Sequence, residues 1–207
     1  MPVARGEHVA HVVDGRLYVI GGRVGRTDMA ATYSEHRDTS RMDVLDIRTG
    51  KWSRGPDAPI ARNSAASAVI DGKIHVVGGR QYLEQQDGTA ANVNVASHEV
   101  YDPETELWSA IAPLPIAAGA PAGASADGKI YVFGGEQWVP TQKVFGAAWV
   151  YDAATDEWET LPDLNVPRHG LAAAAIGDRI YAVGGASKTG AGDVAQVEVL
   201  MAMEGRE

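Results

Sequence analysis

Short apolar runs that end in a pair of glycines recur four times along the chain, at intervals of between 50 and 57 residues. They read RLYVIGG, KIHVVGG, KIYVFGG and RIYAVGG, and they occupy residues 16–22, 73–79, 129–135 and 179–185. A fixed period of this size indicates a repeat architecture. A turn dipeptide precedes each run, Asp-Gly in three repeats and Gly177-Asp178 in the last, and such a pair between apolar runs favours a tight hairpin.

Each repeat predicts a four-stranded antiparallel meander. Strand a precedes the turn, strand b ends in Gly-Gly, a variable loop leads to strand c, and strand d follows a polar turn and carries a Trp. The first strands are rich in alanine, as in the run from Leu171 to Ile176. Alanine favours helix in isolation, but the phase of the repeat and the turn that follows predict that these segments are the first strands of the meander.

The repeats are predicted over residues 5–54, 62–110, 118–161 and 168–200, within one array that covers residues 1–207, with a tail at 201–207. The fourth repeat has no Trp and no outer strand d. Three interpretations of the strand count stay open. Two chains could join into an eight-bladed ring, four blades could close on themselves, or the chain could be a fragment of a longer protein. We favour the pairing of two chains, because an uncovered blade is an aggregation hazard.

The repeat resembles the kelch repeat over nearly the whole chain. The matching features are the four Gly pairs, the Tyr-Asp pairs at Tyr101 and Tyr151, the Arg that opens strand a, and the tryptophans Trp52, Trp108 and Trp158. The resemblance implies an all-β, kelch-type β-propeller of four repeats, with three complete four-stranded blades and a fourth that lacks its outer strand. The Tyr and Trp residues are expected to pack between blades, and the Gly pairs to allow a neighbouring backbone to approach closely.

Composition excludes several kinds of function. The chain has no cysteine, so it has no disulfide, thiol nucleophile or Cys-ligated metal, and the copper-radical oxidases built on kelch-type propellers are ruled out. A net charge of −9 argues against nucleic-acid binding. No signal peptide or membrane span is recognisable, so a cytoplasmic location is the expectation by default. The spacing of the six histidines predicts no metal site, and no cofactor is predicted.

Binding residues are expected on the face that carries the long loops between strands b and c. This face is rich in arginine and near neutral, whereas the rest of the chain is acidic. Arg5, Arg62 and Arg168 share one position before strand a, where the third repeat has Ala118. The resemblance implies an anion or acidic-peptide site at this position, at the mouth of the central channel. The alternative is that these arginines belong to the repeat and that each braces the neighbouring blade.

Other candidates lie nearby in the predicted arrangement. The predicted ligand-binding set is completed by Asn63, His169, Arg23, Arg80, Tyr82, Glu136 and Trp138. Tyr33 is a further aromatic residue in the first long loop, and all the loop aromatics could equally pack their own loops.

Three functions follow from these residues. The preferred one is a binding scaffold for a protein, an acidic peptide or a small anionic ligand, with a homodimer that completes the propeller as a further expectation. The second is an isomerase or lyase, for which kelch-type sugar mutarotases are a precedent, with Arg168, His169 and Glu136 as the acid–base residues. The third is a fragment of a longer six- or seven-bladed kelch protein.

Overall fold

The computed structural model describes residues 1–27, 35–84 and 89–202. The first repeat contains β1 (Val9–Val13), β2 (Arg16–Ile20), β3 (Arg23–Gly25), β4 (His36–Asp38), β5 (Met42–Asp46) and β6 (Lys51–Arg54). The second contains β7 (Ala66–Ile70), β8 (Lys73–Val77), β9 (Arg80–Glu84), β10 (Ala90–Asn94), β11 (His98–Asp102) and β12 (Leu107–Ile111). The third contains β13 (Ala122–Ala126), β14 (Lys129–Phe133), β15 (Glu136–Gln137), β16 (Lys143–Val144), β17 (Ala148–Asp152) and β18 (Glu157–Leu161). The fourth contains β19 (Ala172–Ile176), β20 (Arg179–Val183), β21 (Ala186–Lys188), β22 (Ala191–Asp193) and β23 (Val197–Met201).

The strands form the blades of a β-propeller. Three sheets have four antiparallel strands, in the orders β1-β2-β5-β6, β7-β8-β11-β12 and β13-β14-β17-β18, and the fourth sheet has the order β19-β20-β23. The predicted fold class is confirmed, including the alanine-rich inner strands and the fourth blade without its outer strand. No helix in the described parts of the chain has the length and apolar character needed to cross a membrane.

The connections between strands b and c are more regular than the sequence predicts. Each contains a two-stranded antiparallel ribbon, formed by β3-β4, β9-β10, β15-β16 and β21-β22. The sequence predicts variable loops at these places and does not predict the ribbons. The chain leaves one blade strand and must return to the next, so its two limbs run side by side and satisfy their backbone groups by pairing.

The Gly pairs allow the next blade to approach, as predicted. Gly21 and Gly22 have φ angles of 66° and 91°, which side chains disfavour. A Cβ on Gly21 would lie 2.9 Å from the carbonyl oxygen of Arg62, which leads into the second blade. The backbone N–H of Gly22 donates to the same oxygen at 2.8 Å.

Aromatic residues fill the space between blades, also as predicted. The Tyr101 and Trp108 ring centroids lie 5.2 Å apart. Trp108 Nε1 donates to the carbonyl of Pro56, in the connection from the first blade, at 3.3 Å. Trp158 Nε1 donates to the carbonyl of Ala112 at 2.9 Å, which links the third blade to the second.

The array is open at its fourth blade. Val197, Val199 and Met201 on β23 are 56%, 53% and 53% exposed. The equivalent Ala148 and Val150 of the third blade are 1% and 3% exposed because the fourth blade covers them. Among the described residues, the outer face of the fourth blade is therefore not covered by the first blade.

Candidate functional site

Four equivalent backbone bridges surround the propeller axis. In each blade, the residue that follows Gly-Gly pairs with a residue that precedes the inner strand. The bridges are Gly6–Arg23, Asn63–Arg80, Gly119–Glu136 and His169–Ala186. Their N–H···O distances lie between 2.7 and 3.0 Å. The same backbone geometry thus presents a different pair of side chains near the axis in each blade.

A cleft of about 1040 Å³ lies at this axis on the ribbon side of the propeller. We call it the axial cleft. Blades one and four and the second and third ribbons contribute to its walls. It is lined by Glu7, Arg23, Arg80, Tyr82, Asn92, Glu136, Trp138, His169, Gly170, Gly185, Ala186, Gly190, Ala191, Asp193 and Val194.

Charged side chains of alternating sign line the axial cleft. Arg23 Nη2 lies 2.9 Å from Glu7 Oε1, and Arg80 Nη2 lies 3.8 Å from Glu7 Oε2. Arg80 also forms an ion pair with Glu136, whose Oε2 lies 3.4 Å from His169 Nε2. Each arginine faces a carboxylate, and Asp193 adds a third acidic side chain to the lining, so the cleft is not cationic.

The two ion pairs differ in accessibility. The Arg80 and Glu136 side chains are 10% and 1% exposed, whereas those of Arg23 and Glu7 are 21% and 30% exposed. Glu136 Oε2 also accepts the backbone N–H of Gly190 at 3.1 Å, which ties it to the fourth ribbon. The inner pair is therefore part of the framework, and the outer pair is the one that a ligand can reach.

His169 is held in place by a hydrogen bond from its ring to the backbone. Its Nε2 lies 3.0 Å from the carbonyl oxygen of Lys188, and a carbonyl oxygen only accepts hydrogen bonds. Nε2 therefore carries a hydrogen. His169 and Glu136 are brought together as the acid–base hypothesis requires, but Arg168 lies elsewhere, so the three-residue set is not assembled.

Arg5, Arg62 and Arg168 are buried inside their own blades, with 8%, 3% and 0% exposure. Each forms an ion pair with an acidic residue on strand c of the same blade: Asp43, Glu99 and Glu198, respectively. Their guanidinium groups also donate to blade carbonyl groups, as Arg5 does to Val19 at 2.8 Å. The expectation that they surround the channel mouth is thus corrected. They act as structural braces, as in the alternative interpretation, but each braces its own blade and not the neighbouring one.

The pKa values of these braces reflect burial and pairing. Burial lowers the pKa of Arg62 to about 10. Burial alone would raise the pKa of Asp43, but hydrogen bonds from Arg41 and Arg5 hold it below its usual value. Burial disfavours the charged form of Glu198, whereas hydrogen bonds from Arg168 and Asn165 favour it. The net effect lowers the pKa of Glu198.

The other expected site residues divide between the cleft and the interior. Arg23, Arg80, Tyr82, Glu136, Trp138 and His169 all line the axial cleft. Asn63 is fully buried instead, and its amide Nδ2 donates to Asp38 Oδ1 at 2.6 Å. Tyr33 lies outside the described residues.

Sequence reasoning missed Glu7 and Asn92, which both line the cleft. Glu7 has no counterpart of the same type, because the equivalent residues are Ser64, Ala120 and Gly170. It could have been found only by aligning the residues that follow each bracing position. Among the residues that the structure describes, no group of three or more His, Cys, Asp or Glu side chains could hold a metal ion.

Comparison with known proteins identifies the repeat. The model of the Kelch motif matches residues 4–59, 61–115 and 119–165. A kelch-like protein of Aspergillus terreus is 34% identical over 133 residues, which are 63% of this chain and 27% of that protein. An F-box/kelch-repeat protein of Arabidopsis thaliana is 33% identical over 99 residues, 48% of this chain and 22% of that protein. Human kelch-like protein 25 is 31% identical over 135 residues, 65% of this chain and 21% of that protein.

Proposed function

Because the chain belongs to the kelch-repeat family, we propose that it acts as a protein-interaction scaffold that binds an acidic peptide in the axial cleft. The observation that carries the proposal is the accessible Arg23 beside a large cleft with aromatic walls. The chain spans between 21% and 27% of the length of the relatives described above, so their names alone assign it no partner.

The acidic character of the peptide is inferred from the outer ion pair. A peptide carboxylate takes the place of Glu7 on Arg23, since an arginine fork binds a carboxylate through two parallel hydrogen bonds. Glu7 is 30% exposed and can turn towards solvent. Arg80 keeps its buried partner Glu136 throughout, so the framework of the cleft is preserved.

Two buried polar atoms support a peptide rather than a simple anion. Trp138 Nε1 and Asn92 Oδ1 are buried without a hydrogen-bond partner among the described residues, and both side chains line the cleft. A peptide group satisfies one donor and one acceptor at once, because its carbonyl accepts and its N–H donates. Tyr82 adds an aromatic surface of the kind that anchors protein interfaces.

The test uses phage-displayed random peptides selected on the purified chain. We expect the selected sequences to be enriched in Asp and Glu. Fluorescence polarisation with one selected, labelled peptide should give an affinity that falls with added salt. Arg23→Ala should weaken that peptide by about tenfold, which corresponds to about 1.4 kcal/mol.

Arg54→Ala is the matched control, because Arg54 pairs with Asp57 at 2.5 Å on an exposed surface and does not line the axial cleft. This variant should bind the peptide as the wild type does. Selected peptides without acidic residues, or equal binding by Arg23→Ala and the wild type, would contradict the proposal. Competition by free aspartate as strong as by the peptide would instead identify a small anion as the ligand.

A further inference from the structure

The far face of the fourth blade, which points away from the third blade, is mostly apolar, with Arg179 between Ile176 and Met201 at one edge. Ile176 is 67% exposed, and Val183, Val197, Val199 and Met201 are between 41% and 56% exposed. They lie on neighbouring strands, with Val183 opposite Val197 and the backbone of β20 paired to β23. We call this surface the blade-four flank. A contiguous apolar patch of this kind marks an interaction site.

The equivalent surface of the third blade is buried against the fourth blade. Phe133, Ala148 and Val150 stand at the positions of Val183, Val197 and Val199. They are 3%, 1% and 3% exposed, in a core cluster shared with the fourth blade. The blade-four flank therefore has the composition of one half of an interface between blades.

The first blade presents the complementary half. Val12 is 59% exposed, and Leu17, Leu45 and Trp52 beside it are only partly buried. We call this surface the blade-one flank. The equivalent residues of the second blade, Val69, Ile74, Tyr101 and Trp108, pack against the first blade. The two free flanks are thus the two sides of a contact that the chain makes three times within itself.

Backbone groups at the two flanks are complementary as well. Three N–H groups donate to the following blade: Gly22 to Arg62, Gly79 to Ala118 and Gly135 to Arg168, at 2.8 to 2.9 Å. The next donor in this series is the N–H of Gly185, which has no partner among the described residues. The acceptor at the start of the series is the carbonyl of Arg5.

A second series runs in the opposite direction. The N–H groups of Ser64, Ala120 and Gly170 each donate to the preceding blade at 2.9 Å, the first of them to the carbonyl of Glu7. At the flanks this series leaves the N–H of Glu7 without a partner within the described ranges and the carbonyl of Gly170 available to accept. One additional blade-to-blade contact would satisfy both series.

We propose that the blade-four flank of one chain docks on the blade-one flank of a second copy, and that two such contacts close a ring of eight blades. The contact joins two different surfaces, and a twofold axis along the propeller leaves no free flank when the four blades of each chain span half of the ring. In each contact, Gly185 N–H donates to the second copy's Arg5 carbonyl, and the second copy's Glu7 N–H donates to Gly170.

Sedimentation equilibrium of the purified chain tests the proposal, and we expect the mass of two chains. Val199→Glu and Val12→Glu each place a charge in the contact and should raise the dimer dissociation constant at least tenfold. Both positions are more than half exposed within one chain, so each variant should fold as the wild type does. Leu107→Glu is the control, because Leu107 is 65% exposed on a blade with neighbours on both sides, and it should leave the dimer intact.

Hydrogen exchange gives an independent measurement. The amides of Glu7 and Gly185 should exchange more slowly in the wild type than in Val199→Glu, whereas the amide of Gly22 should be protected in both. A monomer at all concentrations, or a mass that grows beyond two chains, would overturn the proposal. A dimer that is sensitive to Val199→Glu but not to Val12→Glu would overturn it too, since the fourth blades would then pair with each other or with another surface.

Discussion

Blades two and three have the same strand arrangement and differ in the side chains that pack inside them. In both, an isoleucine on strand b lies opposite a tyrosine on strand c, Ile74 with Tyr101 and Ile130 with Tyr151. Blade two holds the charged brace of Arg62 and Glu99. Blade three has Ala118 and Trp149 at the same two positions, 0% and 2% exposed.

A second pair of positions differs in the same way. Blade two carries His75 and His98, whose Nδ1 and Nε2 atoms lie 3.0 Å apart. Blade three carries Tyr131 and Ala148 there, with 0% and 1% exposure. The histidine pair packs against Tyr151 of blade three, with the His98 and Tyr151 ring centroids 4.7 Å apart. Blade two therefore uses charged or imidazole side chains at two places where blade three has aromatic side chains and alanine.

The comparison of the two blades indicates that the position before strand a and the position on strand c change together. An arginine is present wherever strand c offers an acid, and the blade that lacks the arginine also lacks the acid. A buried ion pair can be exchanged for an apolar pair of suitable volume at little cost, whereas half a pair leaves an unpaired charge. The repeat preserves the fold and not the chemistry of each position.

The largest effect is expected from breaking one brace. Arg62→Ala leaves the buried Glu99 carboxylate without its partner and should lower the free energy of unfolding by about 3–5 kcal/mol. Urea denaturation at neutral pH measures it. Arg54→Ala removes an exposed pair and should cost less than about 1 kcal/mol. Equal losses in the two variants would show that the brace stabilises no more than a surface pair.

The second-largest effect is expected from low pH, which should lower the stability of the protein through the histidine pair of blade two. Burial lowers the pKa of His75 to about 4 and that of His98 to about 3. The charge of Lys73 also lowers the pKa of His75, and Asp71 opposes it. His75 and Arg62 also lower the pKa of His98, and Asp156 opposes them. Because the folded state resists protonation, stability is complete above the unfolded value of 6.5 and falls as the pH drops towards 4.

At pH 5.5 each histidine should cost about 1.2 kcal/mol relative to pH 7. Denaturant unfolding at both pH values measures the loss. The double variant His75→Tyr with His98→Ala installs the residues of blade three and should remove about 2.5 kcal/mol of this dependence. An unchanged pH dependence in the variant would mean that other groups cause the acid sensitivity.

The sequence predicted the blades because their signals are local and repeated. Asp-Gly turns, Gly-Gly ends and the tryptophans of strand d each act within a few residues of chain, and four copies in phase leave little choice of topology. The ribbons were missed because segments such as Arg80–Glu84 show no strand pattern of their own. They pair only because the blade holds their two ends together.

The side-chain direction of the bracing arginines could not be predicted from periodicity. The segment around Glu7 and Ser64 has positive φ angles of 55° and 50°, so simple alternation does not apply before the inner strand. The acids opposite the arginines were nonetheless visible in the sequence. Asp43, Glu99 and Glu198 recur at one position, and Trp149 replaces them in the repeat that has Ala118.

The smallest effect is expected from exchanging the brace as a unit. Arg62→Ala combined with Glu99→Trp gives blade two the pair of blade three, and the free energy of unfolding should stay within about 1 kcal/mol of the wild-type value. The double-mutant cycle, completed by Glu99→Trp alone, should then give a coupling of about 2 kcal/mol or more, because each single change leaves a misfit that the other removes. Additive losses of stability in the cycle would show that positions 62 and 99 contribute independently. The joint presence of Ala118 and Trp149 in blade three would then need another explanation.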